Sequence, residues 1–188
     1  PLIGAPMLIS TNPGASDETI GIDRHTFWEK TWPSEMSYAR QQRASEFSRR
    51  LSLLFSEADI QISEMNAGYT LMFRSKSISE WDSSLDKKNR GFANDLCSQT
   101  LREIVGLLRP KLIYAAGFET FKRLGCEDEE PEKGWGETSS GDKRRIAKYG
   151  SYRGVRVIST LHPSGSQYST ENRSQMAMEL RQFWNDHE

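Results

Sequence analysis

Three short polar segments carry the residue types that could do chemistry in this chain: Asn12-Pro13-Gly14, Asn66-Ala67-Gly68 and His162-Pro163-Ser164-Gly165. An asparagine amide donates and accepts hydrogen bonds but is no strong base, and a neutral imidazole offers one N–H and one lone pair. Groups of this kind hold a water, read a polar edge or stabilise a developing negative charge. The prolines and glycines beside them make tight loops whose backbone can approach a phosphate. Metal chemistry has little to stand on. Cys97 and Cys126 are the only cysteines, too few for a structural zinc or an iron–sulfur cluster, and His25, His162 and His187 are scattered without ligand spacing. No metal and no cofactor are therefore expected, and the two thiols are read as reduced, packed small hydrophobes. Neither GxxxxGKS nor GxGxxG occurs, which disfavours a P-loop or dinucleotide enzyme.

The elements that must position these segments alternate. Residues 7–11 (MLIST) read as a buried strand stopped by Asn12-Pro13-Gly14. Across residues 38–58, Ala44, Phe47, Leu51, Leu54 and Ala58 fall on one helical face. Residues 60–64 and 69–73 look like strand, with Asn66 between them. A second amphipathic helix is marked by Phe92, Leu96, Thr100, Ile104 and Leu108, with Pro110 just beyond it. Residues 111–116 form another strand, stopped by Gly117 and followed by a short helix over 118–124. The stretch 127–150 reads as a long polar surface loop with room for a hairpin. The last strand covers 155–161, and the final helix, capped by Ser169 or Thr170, presents Met176, Leu180 and Phe183 on one side.

This alternation predicts an α/β fold: a three-layer α/β/α sandwich around a mostly parallel, four-stranded sheet, as a single domain over 1–188. In such sheets ligands bind at the carboxyl ends of the strands, so the three polar segments are expected to converge on one rim.

The 188 residues suffice for one well-packed domain. With 36% hydrophobic and 27% charged residues the composition is that of a globular protein. No apolar run approaches the roughly 20 residues of a membrane helix, and the first ten residues lack the basic start of a secretory signal, so a cytoplasmic location is expected; a monomer is expected as well. The net charge of −1 argues against coating nucleic acid through bulk charge. Cations nevertheless cluster at Arg40, Arg43, Arg49 and Arg50, at Lys87, Lys88 and Arg90, and at Lys143, Arg144, Arg145 and Lys148, offset by the acidic stretch 127–132. A local basic face is compatible with that sum.

Thr11-Asn12-Pro13-Gly14 after the first strand and His162-Pro163-Ser164-Gly165 after the last resemble the two signature motifs of the uracil-DNA glycosylase superfamily. The likeness covers most of the chain. TNPG followed by Phe27-Trp28-Glu29-Lys30 resembles the mismatch-specific branch, while His162 is similar to the histidine of the main and single-strand-selective enzymes. The stretch 108–125, LRPKLIYAAGFETFKRLG, resembles the family's penultimate strand, glycine and short helix.

The resemblance implies roles. Asn12 would hold the attacking water, at a modest rate because members with aspartate there are usually faster. His162 would donate to the carbonyl oxygen beside the scissile bond and stabilise the departing anionic base. Asn66 would pair with the base edge. Pro13, Gly14, Pro163, Ser164, Gly165 and Ser166 would approach the DNA backbone, and Gln167 or Tyr168 would fill the stack vacated by the flipped nucleotide. The aromatic on which the base stacks is missing. Ile20 stands near its position, none of residues 15–24 is aromatic, and Phe27 or Trp28 would have to substitute.

Three functions follow as expectations. The first is a monofunctional DNA N-glycosylase excising uracil or a modified pyrimidine to leave an abasic site. The second is a defence enzyme that removes bulky hydroxymethylated or glucosylated cytosine from viral DNA. The third is an inactive DNA-binding module. DNA, single- or double-stranded, is the partner in all three.

Overall fold

A computed structural model of the chain describes residues 2–11, 46–72, 78–137, 140–163, 165 and 167–186. Seven strands are seen among them: β1 (Met7–Ser10), β2 (Asn66–Tyr69), β3 (Ile113–Ala116), β4 (Trp135–Glu137), β5 (Lys143–Arg145), β6 (Ala147–Tyr152) and β7 (Val155–Thr160). The helices are α1 (Glu46–Glu57), α2 (Ile78–Ser84), α3 (Lys87–Leu108), α4 (Phe118–Arg123) and α5 (Thr170–Asn185). The fold is α/β around a mostly parallel five-stranded sheet in the order β2-β1-β3-β7-β6, with β4 and β5 pairing separately.

Near-continuous apolar runs make the central strands, because both faces of a parallel sheet are covered. Every residue of β1 and β3 is buried. Side chains alternate between faces. Met7, Ile9, Ile113, Ala115 and Val157 pack with Leu101 and Val105 of α3 and Phe121 of α4. Leu8, Tyr114, Ala116 and Ile158 pack with Leu51, Leu54 and Phe55 of α1 and Met176, Leu180 and Phe183 of α5. The Ser169 hydroxyl accepts from the Asn172 amide at 3.1 Å and starts α5 as its residue type predicts.

The sheet has five strands rather than the expected four. The fifth, β6, lies inside the stretch read as a surface loop, and it runs antiparallel to β7. Ala147 and Tyr149 point into the core while Lys148 and Ser151 do not, so a half-buried alternation hides among Lys, Arg and Gly. The expected hairpin is there too, as β4 and β5.

The region of β2 also differs from expectation. Residues 60–64 hold a short 3-10 turn at Ile62–Glu64, and the strand is Asn66–Tyr69. Asparagine and glycine are poor strand formers, and here pairing with β1 overrides propensity. A Cβ on Gly68 would lie 2.6 Å from the Met7 side-chain end, so the glycine makes room for a core residue. The face of α3 is displaced by one residue as well. Ala93, Cys97, Leu101 and Val105 pack inward, and Phe92 is left 71% exposed. No helix among the described residues is long and apolar enough to cross a membrane.

Candidate active site

β1, β3 and β7 are parallel and in register, so their carboxyl ends form one rim. Hydroxyls fix the β1 end of it. Thr120 of α4 donates to the Ala116 carbonyl at 2.8 Å, and its oxygen lies 2.8 Å from the Thr11 hydroxyl. With the Thr120 proton already committed, Thr11 is the donor of that pair. The Thr70 hydroxyl donates to the Thr11 carbonyl at 3.1 Å, and the Leu71 amide reaches the same oxygen at 2.7 Å. Thr11, immediately before Asn12, is thereby tied to β2 and to α4.

His162 follows β7 on this rim. Its ring lies against the backbone of Gly117, where a Cβ would come within 2.8 Å of His162 Cδ2. Gly117 has φ +92°, a conformation that also favours glycine. On another side the Phe47 ring of α1 stands 5.3 Å from the imidazole at 33°. Burial holds the imidazole pKa below its ordinary value, so the ring is neutral at neutral pH. A neutral, partly desolvated imidazole can donate one hydrogen bond to an oxygen on which negative charge develops.

The turn after His162 is held from α1. The Gly165 amide donates to the His162 carbonyl at 2.8 Å. Arg50 Nη1 donates to the carbonyls of Pro163 at 3.1 Å and Gly165 at 3.4 Å. Its guanidinium lies 5.5 Å from the Tyr168 ring centre, and the Tyr168 hydroxyl returns a bond to the Arg50 carbonyl at 2.8 Å. Phe47 and Arg50, one helical turn apart, therefore grip the imidazole and its loop together.

No protein-family model matches the chain, and no curated protein matches it either.

The geometry of the sheet corrects the reading of Asn66. It is the first residue of β2, level with Met7, Ile113 and Val157 across the sheet. His162 lies five residues beyond Val157, about 16 Å along the strands and about 14 Å across them. Both amide atoms of Asn66 are used at the amino edge: Nδ2 donates to the Leu2 carbonyl at 2.7 Å and Oδ1 accepts from the Leu2 amide at 2.9 Å. Asn66 clamps the chain's first residues and does not face the rim. At the carboxyl end of β2 stand Thr70, Leu71 and Met72.

Several expected DNA contacts are also corrected. Tyr168 is buried and its hydroxyl is bound internally, so it is no wedge. Burial pushes that phenol up to about 12. Pro163 is buried, and the amide and carbonyl of Gly165 are both used within the protein, so neither offers its polar atoms to a phosphate. Gln167 remains exposed. Asn12, Pro13, Gly14, Ile20, Phe27, Ser164 and Ser166 lie outside the described residues.

Sequence reasoning did not single out Phe47, Arg50, Gly117 or Thr120 as site residues. Gly117 appeared as a strand stop, and its left-handed φ is the physical counterpart of that signal. Arg50 and Pro163 are 113 residues apart, and no local pattern links them. Among the described residues no group of three or more His, Cys, Asp or Glu could hold a metal.

Proposed function

We propose that the chain is a monofunctional DNA glycosylase of the uracil-DNA glycosylase type, built as a three-layer α/β/α sandwich, that hydrolyses the N-glycosidic bond of a flipped pyrimidine. The observation that carries this reading is His162: a neutral imidazole seated on Gly117 beside Phe47, on the rim where β1 leads into Asn12-Pro13-Gly14.

In the reaction the C1′–N bond breaks and its electron pair leaves with the base, spreading onto the neighbouring carbonyl oxygen. The His162 N–H hydrogen-bonds to that oxygen. A water bonds to C1′ through its oxygen and releases a proton to solvent. Asn12 orients this water and need not deprotonate it, because an oxocarbenium-like centre accepts a weak nucleophile. Loss of a single donor of the His162 kind lowers rate by about 10²–10³ in acyl-transfer enzymes, a fair scale for its part here.

A second reading concerns the base. Asn66 was expected to pair with the base edge, and its amide is spent on Leu2. The lack of an aromatic among residues 15–24 is what favours a bulkier base, a hydroxymethylated or glucosylated cytosine. Both readings are tested on one panel of single- and double-stranded oligonucleotides carrying uracil, cytosine, hydroxymethylcytosine or glucosylated hydroxymethylcytosine. Alkali-labile abasic sites on any of them, lost in His162→Ala, support the glycosylase reading. DNA binding without strand cleavage on the whole panel rejects it.

A further inference from the structure

The hairpin of β4 and β5 stands beside the same rim, and we infer that it is a nucleic-acid-gripping arm in which Lys143 and Arg144 meet phosphates and Trp135 offers a stacking surface. Strand polarity supplies its position. β6 runs antiparallel to β7, so it begins where β7 ends: Ala147 pairs with Thr160, and the Leu161 amide donates to the Ile146 carbonyl at 3.1 Å. β5 leads directly into that point and therefore lies at the His162 end of the sheet.

The hairpin is rigid at its base. The Gly134 carbonyl accepts from the amides of Ile146 at 2.8 Å and Ala147 at 3.1 Å. Arg145 pairs with both Asp128 oxygens at 2.7 and 2.6 Å, donates to the carbonyls of Pro131 and Lys133, and lies 5.4 Å from the Trp135 ring centre. Gln175 of α5 bonds the Glu137 amide and carbonyl, each at 3.1 Å. An arm held in this way loses little entropy when it meets a ligand.

Its charge is available. Two of the nearby acids are paired with cations, Asp128 with Arg145 and Glu130 with Lys133, while Glu129 and Asp142 accept hydroxyl bonds from Ser151 and Ser140 and keep their charge. Lys143 and Arg144 form no ion pair among the described residues, and Glu137 stands across the hairpin from Lys143. Trp135 is 50% exposed with its Nε1 tied to the Pro131 carbonyl at 2.8 Å, which fixes the ring as a platform. Lys143 shares the Trp135 face of the ribbon while Arg144, opposite Gly136, points to the other, and a cation beside a fixed, open aromatic ring suits a single strand, whose phosphates and bases the pair can meet together.

The inference rests on the DNA reading above but not on turnover, so its test separates them. Affinity of the full chain for a labelled single-stranded oligonucleotide is measured by anisotropy between about 50 and 200 mM salt. Lys143→Ala/Arg144→Ala is expected to flatten the plot of log affinity against log salt by about 1.4, and Lys143→Ala alone by about 0.7. Trp135→Ala should weaken binding about tenfold with the slope retained. Arg109→Ala/Lys111→Ala, beyond the amino edge of β3, should leave both unchanged. A wild-type slope in the Lys143/Arg144 variants, or no binding by the wild type, overturns the inference. Wild-type binding with the expected slope changes but no excision on the base panel supports the arm and rejects the glycosylase.

Discussion

Gly117 and His162 are fitted to each other: the imidazole occupies the space into which a Cβ on residue 117 would project, 2.8 Å from Cδ2. The contact joins the end of β3 to the end of β7 and sets where the ring can stand. Gly117→Ala is therefore expected to displace His162 and to strain the backbone at φ +92°, a cost of about 1–3 kcal/mol. Excision by this variant should fall at least tenfold, and thermal melting together with single-turnover rates will check both effects.

Arg50 acts on the same ring through its loop. Arg50→Ala removes two bonds to carbonyls and the stacking on Tyr168, and should lower stability by about 1–3 kcal/mol and excision at least several-fold. Arg50→Lys should restore only part, since an ammonium can bond the carbonyls but cannot lay a guanidinium over the Tyr168 ring. Added guanidinium at sub-denaturing concentration should recover part of the Arg50→Ala rate, a response that a merely unfolded variant would not give.

The His162 pKa is lowered by burial, and the sign of its pH effect follows. The unfolded chain binds this proton near pH 6.5, the folded chain only at lower pH. The stability that neutral His162 provides is therefore present above about pH 6.5 and is lost as pH falls towards the folded value. The acid limb of the excision rate should lie below the ordinary histidine range. Opening the pocket with Phe47→Ala should move that limb upward. An NMR titration of the imidazole in the two proteins gives the same comparison without turnover.

Asn66→Ala separates the two roles given to that residue. It removes both bonds to Leu2 and should cost about 1–3 kcal/mol of stability while leaving base preference on the oligonucleotide panel unchanged. A changed preference would return Asn66 to the pocket.

The uneven legibility of the chain has physical causes. β1, β3 and β7 are plain because strands buried on both faces are apolar runs, and the His162 turn is plain because proline and glycine punctuate it. β2 was misplaced because Asn66-Ala67-Gly68 looks like a turn and becomes a strand only through its pairing with Met7, Leu8 and Ile9. That shift carried Asn66 from one end of the sheet to the other. β6 escaped notice because its inward residues are set among charged ones, and the α3 face because two stripes one residue apart fit the helical period equally well. The hold of Phe47 and Arg50 on the His162 loop joins residues over a hundred positions apart, a distance at which a single sequence carries no signal.

The claim that His162 stabilises a departing base is tested most directly by leaving-group dependence. Single-turnover excision by wild type and His162→Ala is compared on the base that the panel identifies and on a ring-fluorinated, more acidic analogue of it. The account predicts a penalty of about 10²-fold for the ordinary base, shrinking clearly for the fluorinated one, which leaves more readily unaided. Equal rates for the two proteins, or a penalty that does not change with leaving-group acidity, would contradict it.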